Sequence, residues 1–540
     1  MSKKLRVVIA QLNLTVGDIQ GNTTKHLHAA ATARDTLNAD VIVFPELSIT
    51  GYPPEDLLFR PAFIEDATQA FNHLKTAIQH IHCIIGHPYA NSKGLHNACS
   101  VIYNGTVLGR YTKQHLPNYG VFDEQRYFTP GESHGIVFIH DLPVGIVICE
   151  DLWFAGPVEQ AANQGARLIL SPNASPFEIN KDQQRQDILS KRAISAKIPI
   201  IYCNQIGGQD ELIFDGGSMV VDAQGKLCQH AGFFVETLFP IDLTVTTTDT
   251  IVPSQRITLP SEEEKIYHGL VLAVRDYVQK NNFPGAVVGL SGGIDSALTL
   301  AIAVDALGKE NVSAIMMPSR YTADISVTDA NALVQKLGIH HETISIEPLF
   351  KSFLTELKPI FGNKKPDLTE ENIQARCRGI LLMALSNHTG KMVLTTGNRS
   401  EMAVGYATLY GDMAGGFAVL KDIPKTLVYR LANYRNSIGP VIPQRIIDRA
   451  PTAELAFDQK DEDSLPPYDV LDQILALYIN QAKSPDQICE AGFERNIVEK
   501  VVKLVNRSEY KRRQAAIGPR IDHTAFSRDR RYPITSGYKK

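Results

Sequence analysis

The stretch VVGLSGGIDSALTLAIAV, residues 287–304, restricts the fold more than any other part of this 540-residue chain. An apolar run ends at Leu290, and a short run of small polar residues follows it. Apolar residues then recur at the spacing of a helix, so the pattern predicts a strand, a tight loop and a helix. Two glycines at 292 and 293 allow the loop backbone to approach a ligand closely. A loop of this kind at the start of a helix presents N–H groups to an anion.

The loop residues favour a phosphate site over a simple turn. Ser291 and Ser296 supply hydroxyl donors, and Asp295 supplies a carboxylate for a cation. A bare Gly-Gly turn that binds nothing is the alternative, but it does not require Ser, Asp and Ser at these spacings. No Gly-Lys-Ser/Thr follows, so the loop is not of the Walker type. It resembles the SGGxDS pyrophosphate loop of the N-type ATP pyrophosphatases, which cleave ATP to AMP and pyrophosphate.

Length and composition restrict the class of protein further. A chain of 540 residues is too long for one ordinary domain, so two or more are expected. The net charge of −4 gives no basic excess for nucleic acid, and no apolar run approaches a membrane span. Seven scattered cysteines without CxxC spacing argue against a disulfide framework and a zinc site, and they fit a reducing cytoplasm. The N-terminal sequence shows no signal-peptide cleavage site.

Residues 1–245 alternate short apolar strands with helical patterns, which indicates a layered α/β domain. Many of the strands are continuous β-branched runs, as expected for strands buried on both faces. The predicted strands are Leu5–Leu12, Ala39–Phe44, Cys83–Gly86, Cys99–Tyr103, Gly135–Ile139, Gly145–Cys149, Arg167–Ser171, Ile198–Cys203 and Ser218–Val221. The predicted helices are Asn22–Asn38, Phe63–Gln79, Val158–Gln164 and Asp182–Ala196.

Three polar residues lie at predicted strand ends or in the loops beyond them, where α/β folds place chemistry. They are Glu46 after VIVFP, Lys113 in GRYTKQHLP and Cys149 in VGIVICED. A cysteine beside a lysine and a carboxylate suits attack on a carboxamide, because the lysine stabilises the thiolate and the oxyanion while the carboxylate carries the proton. Taken singly, they also fit a core cysteine, a helix cap and a solvated lysine, so spacing alone leaves both interpretations open.

The surrounding sequences narrow that choice. FPELSITGYPPEDL, RYTKQHLPNYGVFDEQRYF and ICEDLWFAGP resemble, in order, the three signatures of the nitrilase (carbon–nitrogen hydrolase) superfamily, over roughly residues 4–245. The resemblance implies an αββα sandwich with Glu46 as general base, Lys113 as oxyanion stabiliser and Cys149 as nucleophile. It is closest to the glutaminase domains fused to NAD synthetases. There the glutamine-binding positions match Tyr119, Ser175 and Lys181, although Tyr119 and Ser175 also fit loop packing. A second, structural glutamate near the triad matches Glu124.

Residues 246–262 are predicted to form a linker, since they combine threonines, prolines and acids without an apolar period. Strands and helices alternate again across 263–540, which predicts a doubly wound parallel sheet with ligands at its carboxyl edge, where residues 290–296 lie. Besides the opening stretch, the predicted strands are Val312–Met317, Glu342–Ile346 and Met392–Thr396. The predicted helices are Glu263–Asn281, Ser326–Leu337, Pro348–Leu357 and Glu370–Ser386.

The segment TGNRSE after the strand MVLTT brings further polar groups to the same edge. Thr396 supplies a hydroxyl, and Glu401 supplies a carboxylate that is able to hold Mg²⁺ together with Asp295. A pyrophosphate loop needs such a cation to offset charge. The alternative for Glu401 is a carboxylate in the first turn of a helix, stabilised by the helix dipole.

These stretches resemble the NAD synthetase family across roughly residues 264–535. By that resemblance, the ATP-binding residues are Gly289, Leu290, Ser291, Gly292, Gly293, Ile294, Asp295, Ser296 and Thr396, and the Mg²⁺ ligands are Asp295 and Glu401. The positions implied for deamido-NAD are Asn372, Glu401 and Lys511. Asp412, Lys425 and Thr452 match further contacts to the two substrates. The chain departs from the family pattern near Leu409 and at Tyr510, which puts the substrate contacts at those two places in doubt.

The two halves together predict an enzyme that makes ammonia from glutamine and transfers it to the carboxylate of deamido-NAD after activation by ATP. NAD⁺ is then a product, and no redox cofactor is expected. The fusion favours a protected path for ammonia, which bulk water would protonate. The expected partners are the small substrates and, by family resemblance, further copies of this chain bound through the synthetase domains; nucleic acid and membranes are not expected.

Three other interpretations remain open. The SGGxDS loop also occurs in GMP, asparagine and argininosuccinate synthetases and in a tRNA-lysidine ligase. The loop alone therefore does not identify the substrate that receives ammonia. Those that use glutamine carry other glutaminase types, one with an N-terminal cysteine, whereas residue 2 here is Ser. A stand-alone amidase with a binding-only second half is disfavoured by the intact Asp295 and Glu401. A non-catalytic scaffold is disfavoured because every triad position holds a competent residue.

Overall fold

The computed structural model describes residues 3–132, 135–247, 249–255, 257–362, 367–457 and 459–538. The chain folds as two units, Met1–Pro260 and Ser261–Lys540. Within the described ranges, no helix is long and apolar enough to cross a membrane.

The first unit contains fifteen β-strands and four α-helices among its described residues. The strands are β1 (Lys3–Gln11), β2 (Val41–Val43), β3 (His82–Asn91), β4 (Gly94–Tyr103), β5 (Thr106–Thr112), β6 (Gly135–Ile139), β7 (Leu142–Ile146), β8 (Leu168–Asn173), β9 (Ile200–Asn204), β10 (Ile206–Gln209), β11 (Leu212–Asp215), β12 (Met219–Val221), β13 (Leu227–His230), β14 (Thr237–Val245) and β15 (Thr250–Ile251). The helices are α1 (Ile19–Asp35), α2 (Pro61–Ala77), α3 (Ala155–Asn163) and α4 (Lys181–Ala196).

Two mixed sheets stack face to face in this unit. Their strand orders are β15-β14-β1-β2-β3-β4-β5 and β13-β12-β9-β8-β7-β6. In each sheet three central strands run parallel and the outer strands pair antiparallel. Because side chains alternate along a strand, Val7 and Ile9 face Val144 and Leu168 of the other sheet in one shared core. Helices α1 and α2 cover the outer face of the first sheet, and α3 and α4 cover that of the second. The predicted αββα sandwich is confirmed.

Several segments differ from the strands predicted for them. The strand predicted to end at Cys149 ends at Ile146, and Cys149 instead begins a 3-10 turn with φ of 42°. A positive φ is incompatible with an extended strand. Strand β5 escaped prediction because its sequence TVLGRYT carries a glycine and an arginine. Within the predicted linker, Thr250–Ile251 pairs with β14, and residues 248 and 256 lie outside the described ranges.

The second unit contains five strands and twelve α-helices among its described residues. The strands are β16 (Ala286–Leu290), β17 (Val312–Met316), β18 (His340–Thr343), β19 (Met392–Thr395) and β20 (Phe417–Ala418). The helices are α5 (Glu262–Lys280), α6 (Ile294–Leu307), α7 (Asp324–Leu337), α8 (Glu347–Phe361), α9 (Leu368–Thr389), α10 (Arg399–Val404), α11 (Lys425–Ile438), α12 (Gln444–Asp448), α13 (Tyr468–Leu475), α14 (Pro485–Glu490), α15 (Arg495–Arg507) and α16 (Glu509–Arg512).

All five strands of the second unit run parallel in the order β18-β17-β16-β19-β20. Strand order reverses between β16 and β19, so the segments after Leu290 and Thr395 diverge there and leave a crevice. Helices α8 and α9 cover one face of the sheet, and α6 packs on β16 together with α5 and α11. The predicted doubly wound sheet is confirmed. Strand β18 ends at Thr343, before the predicted end, because Ile346 is the buried N-cap of α8.

Candidate active sites

Glu46, Lys113 and Cys149 lie together in the first unit. Lys113 directly follows β5, while Glu46 and Cys149 each lie three residues beyond the end of a parallel strand, β2 and β7. The Lys113 Nζ donates to Glu46 Oε1 at 2.7 Å, and both side chains are fully buried. The sandwich therefore assembles all three residues predicted for catalysis.

Lys113 also binds a second buried carboxylate, that of Glu124. Its Nζ lies 2.8 Å from Glu124 Oε1, which accepts a further hydrogen bond of 2.8 Å from the Tyr52 hydroxyl. Burial lowers the pKa of Lys113, but the attraction of Glu124 and Glu46 outweighs it and holds that pKa well above its usual value. Burial raises the pKa of Glu124 to about 7, against the pull of Lys113. We call Lys113, Glu46 and Glu124 the first lysine set.

Cys149 lies in the same buried environment as Glu46 and Lys113. Its side chain is buried at the start of the 3-10 turn Cys149–Trp153. Burial and then the charge of Glu46 raise the pKa of the thiol well above its usual value, and Lys113 only partly opposes them. The charge of Glu46 acts directly on this thiol, and Glu46 Oε2 accepts a hydrogen bond of 3.1 Å from the N–H of Ala174.

Asp151 joins the cysteine turn to the lysine loop. Its carboxylate accepts hydrogen bonds from the N–H groups of Gln114 and His115, at 3.2 and 2.7 Å, and from the Tyr111 hydroxyl at 2.8 Å. Burial raises the pKa of Asp151 to about 6, against these donors. Because Asp151 lies two residues after Cys149 and its partners follow Lys113, it fixes the two segments relative to each other.

The residues predicted to bind glutamine fall into two groups. The Tyr119 hydroxyl donates to the Glu150 carboxylate at 3.0 Å, and the charge of Lys181 also acts on Glu150. Ser175 is buried and its Oγ accepts from Arg185 Nε at 3.1 Å. The contact of Glu150 with Tyr119 and Lys181 was not predicted from the sequence. The position of Glu150 directly after Cys149 was the signal that the sequence offered.

Arg185 belongs to a buried ion pair that supports Ser175. Its Nη1 lies 2.8 Å from Asp215 Oδ1, and its Nη2 donates to the carbonyl oxygens of Ser175 and Pro176. The Ser175 N–H donates to Asn204 Oδ1 at 2.8 Å. The loop that carries Ser175 is thus held on three sides.

A cavity of about 280 Å³ opens at the crevice of the second unit. Among the residues that line it are all of the predicted ATP-binding residues, which are Gly289, Leu290, Ser291, Gly292, Gly293, Ile294, Asp295, Ser296 and Thr396. The loop leaves β16 at Leu290 and enters α6 at Ile294, so the N-terminus of α6 faces the cavity. Its dipole favours an anion there.

The two loop serines hold the loop in shape. Ser296 Oγ donates to the Gly293 carbonyl at 3.0 Å and accepts from the Ser291 N–H at 3.3 Å. Ser291 Oγ accepts from the Gly293 N–H at 3.2 Å. Gly292 adopts φ of 84°. The sequence predicted these hydroxyls as ligand donors, and in the structure they bond within the loop.

A second lysine lies between two carboxylates beside this loop. Lys425 Nζ forms a short ion pair with Asp295 Oδ2 and lies 3.8 Å from Glu401 Oε1. Asn398 Nδ2 donates to Asp295 Oδ1 at 2.9 Å. Burial and the charge of Asp295 raise the pKa of Glu401 to about 8. We call Lys425, Asp295 and Glu401 the second lysine set.

Glu401 also takes the alternative role that its sequence position suggested. Its Oε2 accepts from the Asn398 N–H at 3.2 Å, and its own N–H donates to Asn398 Oδ1 at 3.0 Å, which forms a capping box at the start of α10. The cap occupies one carboxylate oxygen. Oε1 remains directed toward Lys425.

The pair Asp295 and Glu401 fits Mg²⁺ only together with phosphate oxygens. Among the described residues, no group of three or more His, Cys, Asp or Glu side chains is placed to hold a metal. Mg²⁺ is usually bound by one or two carboxylates plus substrate phosphates and water. Asp295 and Glu401 are two neighbouring carboxylates that line the cavity of the phosphate loop, and they match that donor set.

The positions implied for deamido-NAD lie around the segment 405–412. Thr408 Oγ donates to Asn372 Oδ1 at 2.8 Å, and Lys511 Nζ donates to the carbonyl oxygens of Gly405 and Ala407 at 2.8 and 2.7 Å. Asp412 and Glu401 line the cavity, whereas Asn372 and Lys511 are not among the described residues that line it. Of the predicted further contacts, Lys425 and Thr452 also line it.

Four charged residues that the sequence did not single out line the same cavity, and they are Arg378, Arg449, Glu454 and Asp461. Arg378 donates to the Met317 carbonyl at 3.0 Å, and Arg449 pairs with Glu454 at 2.8 Å. Glu454 also accepts from the Ser326 hydroxyl at 2.6 Å. Arg449 and Glu454 lie on either side of Thr452 in the sequence RAPTAEL, and Arg378 lies inside helix α9 with no motif around it.

Comparison with known families assigns a model to each unit. The carbon–nitrogen hydrolase family matches residues 6–251, and the NAD synthase family matches residues 266–515. These matches cover the unit with the cysteine site and the unit with the phosphate-loop cavity.

Full-length relatives carry both units in one chain. A glutamine-dependent NAD(+) synthetase of Acinetobacter baylyi is 47% identical over 542 residues, covering 99% of each chain. One of Thermotoga maritima is 44% identical over 576 residues, covering 100% of each. Among solved structures, glutamine-dependent NAD+ synthetase of Acinetobacter baumannii, in complex with ADP, is 46% identical with a TM-score of 0.81 over 98% of each chain. That of Cytophaga hutchinsonii, at 24% identity, shares the fold with a TM-score of 0.86 over 99% of this chain and 98% of that one.

Proposed function

The chain belongs to the family of glutamine-dependent NAD(+) synthetases, and we propose that it divides their reaction between its two units. It amidates deamido-NAD to NAD⁺ with ATP and with glutamine as the amide donor. The first unit, Met1–Pro260, releases ammonia from glutamine, and the second, Ser261–Lys540, activates and amidates the acceptor. The observation that carries this division is the presence of a buried Cys–Lys–Glu set in one unit and a phosphate-loop cavity in the other.

Glutamine hydrolysis in the first unit follows from the position of three groups. Glu46 takes the proton of the Cys149 thiol, and the thiolate attacks the carboxamide carbon of glutamine. The Lys113 ammonium stabilises the oxyanion that forms. Glu46 returns the proton to the leaving ammonia and then activates the water that hydrolyses the thioester to glutamate. Glutamine is held by Tyr119, Ser175 and Lys181, with Glu150 as an added acceptor for its α-ammonium.

Carboxylate activation in the second unit takes place at the 290–296 loop. The carboxylate of deamido-NAD attacks the α-phosphorus of ATP, and pyrophosphate leaves. Loop N–H groups and the N-terminus of α6 offset the charge of the transferring phosphoryl group, assisted by Lys425. Ammonia then attacks the acyl carbon of the adenylate, and AMP leaves with formation of the amide. Asn372, Glu401 and Lys511 are the proposed deamido-NAD contacts, and NAD⁺ is a product rather than a redox cofactor.

Asp295 and Glu401 would hold Mg²⁺ against the ATP phosphates. An ion held there would supply positive charge that offsets the phosphate charge during loss of pyrophosphate. The chain's own part is to supply the two carboxylates, with Lys425 and Asn398 fixing the orientation of Asp295.

We further propose that the protein associates with copies of itself through the second unit. Helices α8 and α9 expose several large apolar side chains, which are those of Leu349, Phe353, Ile360, Ile380 and Met383. Contiguous exposed apolar surface marks interaction sites in proteins. Phe353→Glu together with Ile380→Glu should lower the mass measured by light scattering. An unchanged mass would contradict this interface.

The seven free cysteines accord with a cytoplasmic location.

The division of labour is tested by two variants assayed with two nitrogen sources. Cys149→Ala should abolish NAD⁺ formation from glutamine and keep it with excess ammonium. Asp295→Asn should abolish both, while glutamine hydrolysis persists. Pyrophosphate release, NAD⁺ and glutamate are measured in parallel. If folded Cys149→Ala loses the ammonium-driven reaction as well, the proposed division is wrong.

A further inference from the structure

Asn97 donates a hydrogen bond from strand β4 to the carboxylate of Glu46. It lies on β4, is fully buried, and its Nδ2 lies 2.7 Å from Glu46 Oε1. The same oxygen accepts from Lys113 Nζ. The Asn97 carbonyl also accepts from the Lys113 N–H at 2.9 Å, so Asn97 contacts the base through its side chain and the lysine through its backbone.

The two carboxylates on Lys113 are not equally supported. Glu46 has donors on both oxygens, since Ala174 N–H reaches Oε2. Glu124 receives both of its donors, Lys113 and the Tyr52 hydroxyl, on Oε1, and its buried Oε2 has no partner among the described residues. Two carboxylates beside one ammonium compete for the ionised state. The carboxylate that accepts hydrogen bonds on both of its oxygens keeps the negative charge.

The orientation of the Asn97 amide argues for a role beyond packing. Its Oδ1 is buried without a hydrogen-bond partner among the described residues. A bare buried carbonyl costs free energy, and an asparagine selected for stability alone would satisfy both ends. The reversed amide would set Oδ1 against the Glu46 carboxylate, which only accepts. The chain thus leaves one atom unpaired and keeps the donor on Glu46.

We propose that Asn97 is a positioning residue that keeps the negative charge on Glu46 rather than on Glu124, so that Glu46 acts as the base toward Cys149. The proposal rests on the glutaminase function proposed above for the first unit. An amide N–H only donates, so it favours the anionic form of its neighbour in every protonation state of the first lysine set.

The other titratable groups around Glu46 belong to several elements. Those whose charges interact with Glu46 are Tyr52, Cys99, Lys113, Glu124, Cys149 and Glu150. Only Lys113 among them is a cation. Removal of the Asn97 amide therefore leaves Glu46 with one fewer donor in a site where the other titratable groups carry no second positive charge.

The test compares Asn97→Ala with Asn22→Ala in the full chain. Both asparagines are 1% exposed in the first unit, but Asn22 Nδ2 donates to the backbone carbonyls of Thr15 and Ile49. Asn97→Ala should lower kcat for glutamine hydrolysis about 10- to 100-fold, the value of one hydrogen bond to a charged group. The KM for glutamine should stay near the parent value. The acid limb of the kcat/KM profile should move to higher pH, because the base loses a donor to its charged form.

Asn97→Asp provides a second, nearly isosteric variant. It replaces the donor by a carboxyl group and should move the acid limb further than Asn97→Ala does. Asn22→Ala should leave the acid limb in place. Ammonium-driven NAD⁺ formation in each preparation reports on the second unit and should match the parent protein.

Equal losses of kcat in Asn97→Ala and Asn22→Ala, with the acid limb of both unmoved, would show that Asn97 is merely structural and overturn the proposal. If Asn97→Ala does not fold, an unmoved acid limb in Asn97→Asp overturns it equally. A separate experiment tests the glutaminase assignment itself. If Cys149→Ala still hydrolyses glutamine, the assignment of this activity to the Cys149 site is wrong.

Discussion

The Gly292→Ala substitution tests whether the 290–296 loop binds ATP in the shape that the structure gives it. Gly292 adopts φ of 84°, and an added Cβ would lie 2.5 Å from the Ser326 carbonyl oxygen and 2.9 Å from the Ser326 Cα. Real Cβ atoms essentially never approach another heavy atom within 3.0 Å, so the loop and the first turn of α7 must separate by about half an ångström. Backbone atoms of a helix do not yield as a flexible side chain does.

The expected effect on activity follows from that displacement. Misplacing reacting groups by about 1 Å costs about 100-fold in rate, so half of it should cost about tenfold in kcat/KM for ATP. The positive φ adds roughly 1–2 kcal/mol of instability for alanine. Gly308→Ala is the matched control, because Gly308 has φ of 81° at the end of α6 and nothing lies within 4 Å of its added Cβ.

The assay is ammonium-driven pyrophosphate release with deamido-NAD at varied ATP, alongside glutamate formation from glutamine in the first unit. Gly292→Ala should lose more free energy of unfolding than Gly308→Ala in urea titrations, because its Cβ clashes with the Ser326 backbone in addition to the cost of the positive φ that both variants share. Only Gly292→Ala should lose kcat/KM for ATP, and both should retain glutamine hydrolysis. Equal values of kcat/KM in the two variants would refute the assignment of this loop to ATP.

Three further variants test other buried titratable groups. Asp151→Asn should lower glutamine hydrolysis about tenfold, because the carboxylate that accepts from two N–H groups after Lys113 is lost, and unchanged glutamate formation would contradict this. Lys425→Met should abolish ammonium-driven NAD⁺ formation and destabilise the second unit by about 3 kcal/mol in urea, since two carboxylates lose their cation; retained activity would argue against the second lysine set. Burial lowers the pKa of His26 to about 4, so the folded state binds fewer protons than the unfolded state between pH 4 and 6.5. The free energy of unfolding should then fall by about 3 kcal/mol as pH falls through that window. In urea titrations, the free energy of unfolding of His26→Gln should depend less on pH than that of the parent protein. An equal pH dependence in the two proteins would contradict the lowered pKa of His26.

Sequence patterns predicted those parts of the two sites that are local in the chain. The phosphate loop is one continuous segment, so its strand, its glycines and Asp295 are visible together. Glu46, Lys113 and Cys149 each follow a strand, and strand ends are visible as the end of an apolar run. Their assembly was predicted through family resemblance, because spacing alone does not show that three distant segments meet.

The groups that tune these residues are set by pairing between strands and were not predicted. Asn97 lies in the sequence HNACS without a motif, and its contact with Glu46 depends on the register of β4 against β3 and of β3 against β2. Asp151 looked like one more acid in ICED, and only the fold places it beneath the N–H groups after Lys113. The break of the strand before Cys149 depends on a positive φ that no residue type at that position signals.

The two units solve one electrostatic problem with the same parts. Lys425 lies between Asp295 and Glu401 as Lys113 lies between two glutamates, and Asn398 donates to one carboxylate of the pair as Asn97 does in the first unit. In each set, the carboxylate that receives no hydrogen bond from the asparagine side chain has a raised pKa. This pKa is about 8 for Glu401 and about 7 for Glu124. One ammonium does not satisfy two buried carboxylates, so each set has room for one further positive charge.

The two lysine sets differ in solvent exposure, and the exposure of each set determines which positive charge is able to enter it. This difference accords with the reactions proposed for the two units. The carboxylates of the first lysine set are at most 6% exposed, so a proton is the charge that enters, and in the proposed mechanism a proton passes from Cys149 to ammonia. Those of the second set are 17% and 18% exposed and line the cavity, so a hydrated cation arriving with a nucleotide has access. On this reasoning, Glu401→Gln should weaken Mg²⁺-dependent ATP binding, measured by calorimetry, because one of two carboxylates is lost. Binding of ATP in EDTA should change little, and a loss of equal size there would show that Glu401 acts on the nucleotide and not on the metal.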